Sequence, residues 1–322
     1  MKINILDNIT FLFTNKNTCN LLQGAINSLL DYYPEHRNNI VVFDDYSTDD
    51  SRNWLEKNNI KWITWKKYKN WRPYLIQERP GIENHIFNYI IYDASSQVST
   101  KYIILCDSDI IFLNGGFLEK YEIFFNENPS LKMICSIFNY KLPVPQKINK
   151  TKYGKYMGFN STKNYYYLPR IHSYFCMYDL DFFKKENLLY DDYKDEEYNS
   201  IYGDPAIFKQ KSLQGGDPFV ESGSDWLFKI KEKNIEYINI AEDQYDTYHG
   251  ASYLHPFCIH THTTNPDCYI YHIGGGATIQ MVNQSSVENP ITKEYICREL
   301  IKDPELHKIL GKYHNWIKNI LK

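Results

Sequence analysis

An α/β fold with parallel βαβ units is the reading that the first third of this sequence supports, on two observations. Short apolar runs alternate with segments whose apolar residues recur at helical spacing, and polar turn formers close three of those runs. Strands that alternate with helices are covered on both faces, so they read as unbroken apolar stretches. The 322 residues, 43% of them apolar, are enough for one large domain with a full core.

Ile9–Thr14 is the first such run and suits a strand covered on both sides. Leu21, Leu22, Ala25, Ile26, Leu29 and Leu30 then recur at the spacing of one helix face. Ile40–Phe43 predicts a second strand, closed by Asp44-Asp45-Tyr46-Ser47-Thr48. Asp50 or Ser51 is placed to cap a short helix carrying Trp54 and Leu55. A third strand is expected at Ile60–Thr64 and a helix through Ile82, Ile86, Tyr89 and Ile90. Tyr102–Cys106 predicts a fourth strand, which runs into Asp107-Ser108-Asp109 and then Ile110–Leu113.

Beyond Asn139 the periodicity loosens. Residues 141–170 and 187–222, rich in Tyr, Lys, Asn, Gly and Pro, read as long loops. A helix from Asp225 to Lys233 and a strand at Ile235–Ile240 restore order. Leu306, Ile309, Leu310, Tyr313, Trp316, Ile317, Ile320 and Leu321 mark a C-terminal amphipathic helix with Lys308, Lys312, Lys318 and Lys322 among its polar positions. Such a helix can dock on the domain, pair with a second subunit, or make peripheral contact with an anionic membrane; docking is preferred.

Composition excludes several classes. Lys and Arg number 36 against 39 Asp and Glu, so the chain lacks the basic bias of a phosphate-backbone binder and nucleic acid is not an expected partner. The seven cysteines are scattered and odd in number, which fits a reducing compartment better than a secretory one. Met1–Leu12 lacks the pattern of a signal peptide, and no window approaches the length of an apolar membrane span. A cytoplasmic or otherwise soluble protein is expected.

In open α/β sheets, ligands bind beyond the carboxyl ends of the strands. That rule brings Thr14–Asn17, Asp44–Thr48 and Asp107–Asp109 to one crevice, because each follows a strand. Two carboxylates on one turn repel each other unless a cation sits beside them, and hard oxygen donors suit Mg²⁺ or Mn²⁺ on a diphosphate. Asp45 can accept a hydrogen bond from a nucleobase N–H. Each group also has a plainer reading, as a turn or a helix cap. Asp225 stands at a helix start, where the macrodipole favours a carboxylate and where a base can take a proton from an acceptor hydroxyl. Five of the ten histidines, His249, His255, His260, His262 and His272, fall close together with Cys258 and Cys268. Cys258, His260 and His262 alternate along one strand face and no Cys-x-x-Cys pair occurs, so separate roles are preferred to a zinc site.

Several runs then point one way. Val41-Val42-Phe43-Asp44-Asp45-Tyr46-Ser47-Thr48-Asp49-Asp50-Ser51 resembles the signature of family-2 glycosyltransferases of the GT-A fold. Phe13-Thr14-Asn15-Lys16-Asn17 resembles the family's first strand exit, and Asn88 the Asn of the helix before its Asp-x-Asp strand. Gly223-Ser224-Asp225-Trp226-Leu227 is similar to its Gly-Glu-Asp helix start, while Tyr248-His249-Gly250 and Tyr271-His272-Ile273-Gly274 resemble its C-terminal His-Gly segment.

The resemblance implies a central mixed sheet flanked by helices in a domain over 1–285. Within it, 1–140 would form the nucleotide-sugar-binding half and 141–285 the acceptor-binding half, with 286–322 the C-terminal helical segment. It implies a donor site of Thr14, Asn15, Lys16, Asp44, Asp45, Asn88, Asp107 and Ser108, a Mn²⁺ or Mg²⁺ ion on Asp107 and Asp109, and Asp225 as general base. One histidine would complete the metal shell. His272 is preferred, since Tyr269-Ile270-Tyr271 aims it and a glycine-rich turn follows; His249 is the competitor. Three positions depart from the pattern: Tyr46 replaces Gly, Ser224 replaces Glu, and Phe87 replaces Arg.

The function expected is metal-dependent, inverting transfer of a sugar from a UDP-, dTDP- or GDP-linked donor to a hydroxyl of a glycan, lipid-linked or protein acceptor. A retaining transferase, or a binding protein of the same fold without turnover, is the alternative. Nucleotidyl transfer ranks lower, because Thr14–Cys19 has no Gly and a single Lys.

Overall fold

The structure is a computed structural model, and it describes residues 4–64, 98–142, 158–160, 165–186, 188, 227, 229–239, 270–272 and 311–320. Strand β1 (Ile9–Asn15) leads into α1 (Cys19–Tyr32), β2 (Ile40–Asp44), α2 (Ser51–Lys57) and β3 (Lys61–Ile63). After β4 (Tyr102–Cys106) and β5 (Ile110–Phe112) come α3 (Phe117–Glu127), β6 (Leu131–Leu142), β7 (Gly158–Asn160), β8 (Tyr165–Asp179) and α4 (Leu180–Lys185). The remaining elements are β9 (Glu236–Asn239), β10 (Ile270–His272) and α5 (Lys312–Ile320).

The main sheet has the order β3-β2-β1-β4-β8-β6-β9, with β7 on β8. Its first four strands are parallel, as βαβ units require, and β8 then enters antiparallel to both β4 and β6. The sheet is therefore mixed. Alternate residues of each strand feed two cores. Phe11, Phe13, Tyr102 and Ile104 face Leu22, Ala25, Phe117 and Phe125, whereas Leu12, Ile103 and Leu105 share the opposite core with Leu180, Phe183, Leu227 and Ile230. Helices α1 and α3 thus cover one face and α4 the other, which is why β1, β2 and β4 read as unbroken apolar runs.

Two expectations need correction. Parts of 141–170 expected as loop are strand: β6 runs to Leu142, and β7 and β8 occupy 158–160 and 165–170. Tyrosine has high strand propensity, but with Lys, Asn and Pro interspersed the segment loses the apolar run on which the expectation relied. Of 187–222, only Leu188 lies within the described residues, and it is buried. Neither Asp50 nor Ser51 caps α2 through its side chain.

Helix α3 was not among the expected elements, although Phe117, Leu118, Tyr121 and Phe125 recur at helical spacing, and its start is set from a distance. Gly116 adopts φ 93°, open to glycine at no cost, and the Tyr33 hydroxyl accepts the Gly116 N–H at 2.6 Å while donating to Glu119. Burial holds the Tyr33 phenol protonated well beyond the usual range.

Helix α5 docks on α1, as preferred. Ile317 is fully buried, Lys312 pairs with Asp31 at 2.6 Å, and the Tyr313 hydroxyl donates to the same carboxylate. Trp316 lies flat against Gly24, where an added Cβ would come within 2.0 Å of the indole. Among the described residues no helix is long and apolar enough to cross a membrane.

That contact gives a test by sign. Gly24→Ala relieves helix entropy worth about 1 kcal/mol, but in the wild type it displaces the Trp316 ring at a cost of about 1–3 kcal/mol. Urea unfolding is expected to show Gly24→Ala as destabilising in the wild type and stabilising in a Trp316→Ala background. A second test concerns pH. His36 is buried against Phe11 and Tyr33, its Nδ1 is 3.1 Å from the Asn39 amide, and burial lowers its pKa below the ordinary 6.5. Below pH 6.5 the unfolded chain binds a proton that the native state refuses, so stability is full above that pH and declines as pH falls toward the lowered native value. His36→Gln should flatten that decline, measured by unfolding free energy across the range.

Candidate active site

The parallel register aligns three strand ends. Thr14 pairs with Phe43, Asn15 with Asp44, and Phe13 with Cys106, so the residues after β1, β2 and β4 emerge along one edge. A hydrogen-bonded network knits that edge together. Asn15 Nδ2 donates to Asp44 Oδ1 at 2.9 Å and to Ser47 Oγ at 3.0 Å. The Asp44 carboxylate, fully buried, also accepts the Ser47 N–H at 3.1 Å and Arg52 Nε at 2.6 Å. Arg52 in turn sits over the Trp62 ring, 5.0 Å from its centroid. With no surface of its own, Asp44 organises the loop.

Asp45 is held differently. Its N–H donates to the Asn15 carbonyl at 2.9 Å, and its Oδ2 accepts from Lys16 Nζ at 2.8 Å. Lys16 keeps 39% of its side chain exposed, so this ion pair opens toward solvent from a nearly buried carboxylate. Thr14, paired with Phe43 on β2, is half-buried. Tyr46 takes φ 52° with its ring exposed. That left-handed conformation is one glycine adopts freely and other residues at a cost of about 1–2 kcal/mol, which accounts physically for the glycine usual there in the resembling signature.

The sequence assigned no individual role to Asn17 or Asp49. Asn17, at φ 53°, accepts the Thr48 N–H on its side-chain oxygen at 2.6 Å and donates its own N–H to Ser47 Oγ at 2.9 Å. Asp49 accepts the Cys19 N–H at 2.9 Å on one oxygen and the Ser51 N–H at 3.1 Å on the other. One carboxylate therefore satisfies an orphan donor at the start of both α1 and α2, where both dipoles favour it. The signal was present in the Asp49-Asp50-Ser51 run, but proximity to α1 is tertiary.

Asp107 is partly exposed, whereas Ser108 and Asp109 are buried. The Cys106 thiol behind them is pushed well up by burial, with the Asp107 charge adding to the effect, so it stays protonated. Cys19 is raised in the same sense, by burial first and then by Asp49 and Asp50. The residues present suit a hard divalent cation: carboxylates on one turn, and no thiolate to favour a softer metal. Strand β10 adds a third candidate, since His272 pairs in register with Ile110, directly after Asp109. Among the described residues no third His, Cys, Asp or Glu side chain joins the two carboxylates as a metal-binding group. Asn88, Asp225 and His249 lie outside the described residues; helical residues 229–232 follow Asp225 in the chain.

A family profile described as Glycosyl transferase family 2 matches residues 10–186, more than half of the chain. No curated protein matches the sequence. Among solved structures, the chain is similar to TarS residues 1–349 from S. aureus, at 15% identity over 96% of this chain and 71% of that one, with a TM-score of 0.42. It is similar to the mannosyltransferase PcManGT from Pyrobaculum calidifontis, in complex with GDP-Man and Mn²⁺, at 12% identity over 98% and 72% of the two chains, TM-score 0.39. Glucosyl-3-phosphoglycerate synthase from Mycobacterium tuberculosis, in complex with Mn²⁺, UDP-glucose and phosphoglyceric acid, matches at 17% identity over 40% and 43%, TM-score 0.29. The profile spans the stretch from β1 through α4 that builds this edge, and the chain belongs to glycosyl transferase family 2, a glycosyltransferase with an α/β fold of the GT-A type.

Proposed function

We propose that this enzyme is a metal-dependent, inverting glycosyltransferase that moves a sugar from a nucleoside-diphosphate sugar to an acceptor hydroxyl. The observation that carries the reading is the alignment of Asn15, Asp44 and Cys106-Asp107 along one sheet edge, which brings the loop after β2 beside the acidic turn. Asp45 and Lys16 present an acceptor and a donor side by side. Uracil, thymine and guanine each offer an N–H next to a carbonyl, which this pair can meet. A UDP-, dTDP- or GDP-linked donor follows, with Thr14 beside the base.

Asp107 and Asp109 would hold Mn²⁺ or Mg²⁺, which neutralises charge on the departing diphosphate. The register of β10 supports His272 over His249 as the third ligand. Asn88 belongs to the same donor side by family resemblance. By the same resemblance Asp225 is the general base that takes the proton of the attacking hydroxyl, help worth about 10²–10⁴-fold in rate. Direct attack by that hydroxyl opposite the leaving group gives inversion. Glycans, lipid-linked sugars and proteins all offer a suitable acceptor hydroxyl.

Nucleotide release from UDP-, dTDP- and GDP-sugars with Mn²⁺ is the test, because donor hydrolysis needs no acceptor. Release from one class of donor is expected, reduced on the order of 10²–10³-fold in Asp109→Asn. Asp225→Asn should retain nucleotide binding yet lose transfer, and NMR of the product anomer should show inversion. No release from any donor, with no metal-dependent nucleotide binding, would establish a binding protein instead.

A further inference from the structure

We propose that Thr18 is a positioning residue for the acidic turn, and that the Ser108 hydroxyl is a buried anchor bonded to Thr18 rather than a ligand of the donor sugar. The inference rests on the reading that this turn holds the cation.

The hydrogen bonds make the case. Asn15 spends both amide protons on Asp44 Oδ1 and Ser47 Oγ, so its side-chain oxygen is an acceptor only. Thr18 Oγ1 reaches that oxygen at 2.7 Å and Ser108 Oγ at 2.8 Å. One hydroxyl therefore bridges Ser108 to Asn15, and Asn15 carries the link on to the Asp44 carboxylate.

Every member of this chain is buried: Ser108 at 5% exposure, Thr18 at 1%, Asn15 at 3% and Asp44 at 0%. In that setting a missing link leaves a polar group unsatisfied with no water to replace it. Thr18 also occupies the N-cap position of α1 yet makes no side-chain cap bond there. A threonine at such a position ordinarily turns its hydroxyl onto the helix. Here Asp49 satisfies the Cys19 N–H instead, and the Thr18 hydroxyl reaches across to the residue between Asp107 and Asp109. Fixing Ser108 fixes the turn on which both carboxylates stand, so the nucleotide side and the cation side are set by one network.

The experiment titrates Mn²⁺ into the full chain with saturating UDP, dTDP or GDP, reads bound ion by electron paramagnetic resonance, and follows melting temperature in parallel. Thr18→Val keeps shape and removes the link; it should weaken Mn²⁺ binding roughly tenfold, at the lower end of what supporting-shell changes cost. Thr18→Ser should bind as the wild type does. Ser108→Ala should match Thr18→Val, and the double variant should be no worse than either, because both remove the same link. Additive losses, with Ser108→Ala the larger, would mean that Ser108 meets the ligand directly and would overturn the proposal. Wild-type affinity in Thr18→Val would overturn it as well. If Thr18→Val does not fold, Ser108→Ala and Thr18→Ser decide: unchanged affinity in Ser108→Ala, or weakened affinity in Thr18→Ser, overturns it. Absence of Mn²⁺ binding by the wild type with every nucleotide would remove the cation-site reading itself, and this inference with it.

Discussion

A carboxylate without access to water dictates much of this edge of the molecule. Asp44 is fully buried at the end of β2, and an ion in that position has to be given donors by the protein. Three arrive from different places: the Asn15 amide from β1, the Ser47 N–H from its own loop, and Arg52 from α2. To supply them the loop must curl back over the strand end. That curl presents Asp45 to Lys16 and places Ser47 where the Asn17 N–H reaches it. Burying the charge therefore sets the path of the backbone, and the path sets what the surface can bind.

The same edge gathers Asp44, Asp45, Asp49, Asp107 and Asp109 in a chain whose formal net charge is only -3. The carboxylates are not equivalent. Asp44 answers to Arg52, Asp45 to Lys16, and Asp49 to two backbone N–H groups at helix starts. Asp107 and Asp109 stand on a separate turn, after a strand, with the strand that carries His272 paired beside them.

How much of this could be read in the sequence depended on burial pattern. Strands β1, β2 and β4 are covered on both faces, so their apolar runs located them to within a residue or two, and with them the positions of Asp44, Asp45 and Asp107. Helix α1 was equally legible from its apolar stripe. Strand β8 was only partly so: its second half, Phe175–Asp179, is buried, while Tyr165–Arg170 offers tyrosines, a proline and an arginine to a pattern search tuned to Ile, Leu and Val. Helix α3 shows its apolar face in Phe117, Leu118, Tyr121 and Phe125, but the hydroxyl of Tyr33 that fixes its start is distant in sequence. At the site, residue types were legible but partners were not. Asn15 and Ser108 read as candidates for binding a ligand, and only the fold shows their polar atoms facing each other through Thr18.

The strand order has a consequence for the time at which this site comes into being. Strand β8 is inserted between β4 and β6, although both precede it in the chain. During synthesis, which proceeds from the N-terminus at about 5–20 residues per second, β1 to β4 can assemble from nearby segments, but β4 keeps an unpaired edge until Tyr165–Asp179 has been made. An apolar strand with free backbone groups is a template for pairing with another chain. The residues that carry the acidic turn are thus fastened to an edge that waits for a late partner. The interval before that partner arrives is when a nascent copy of this enzyme is most exposed to its neighbours.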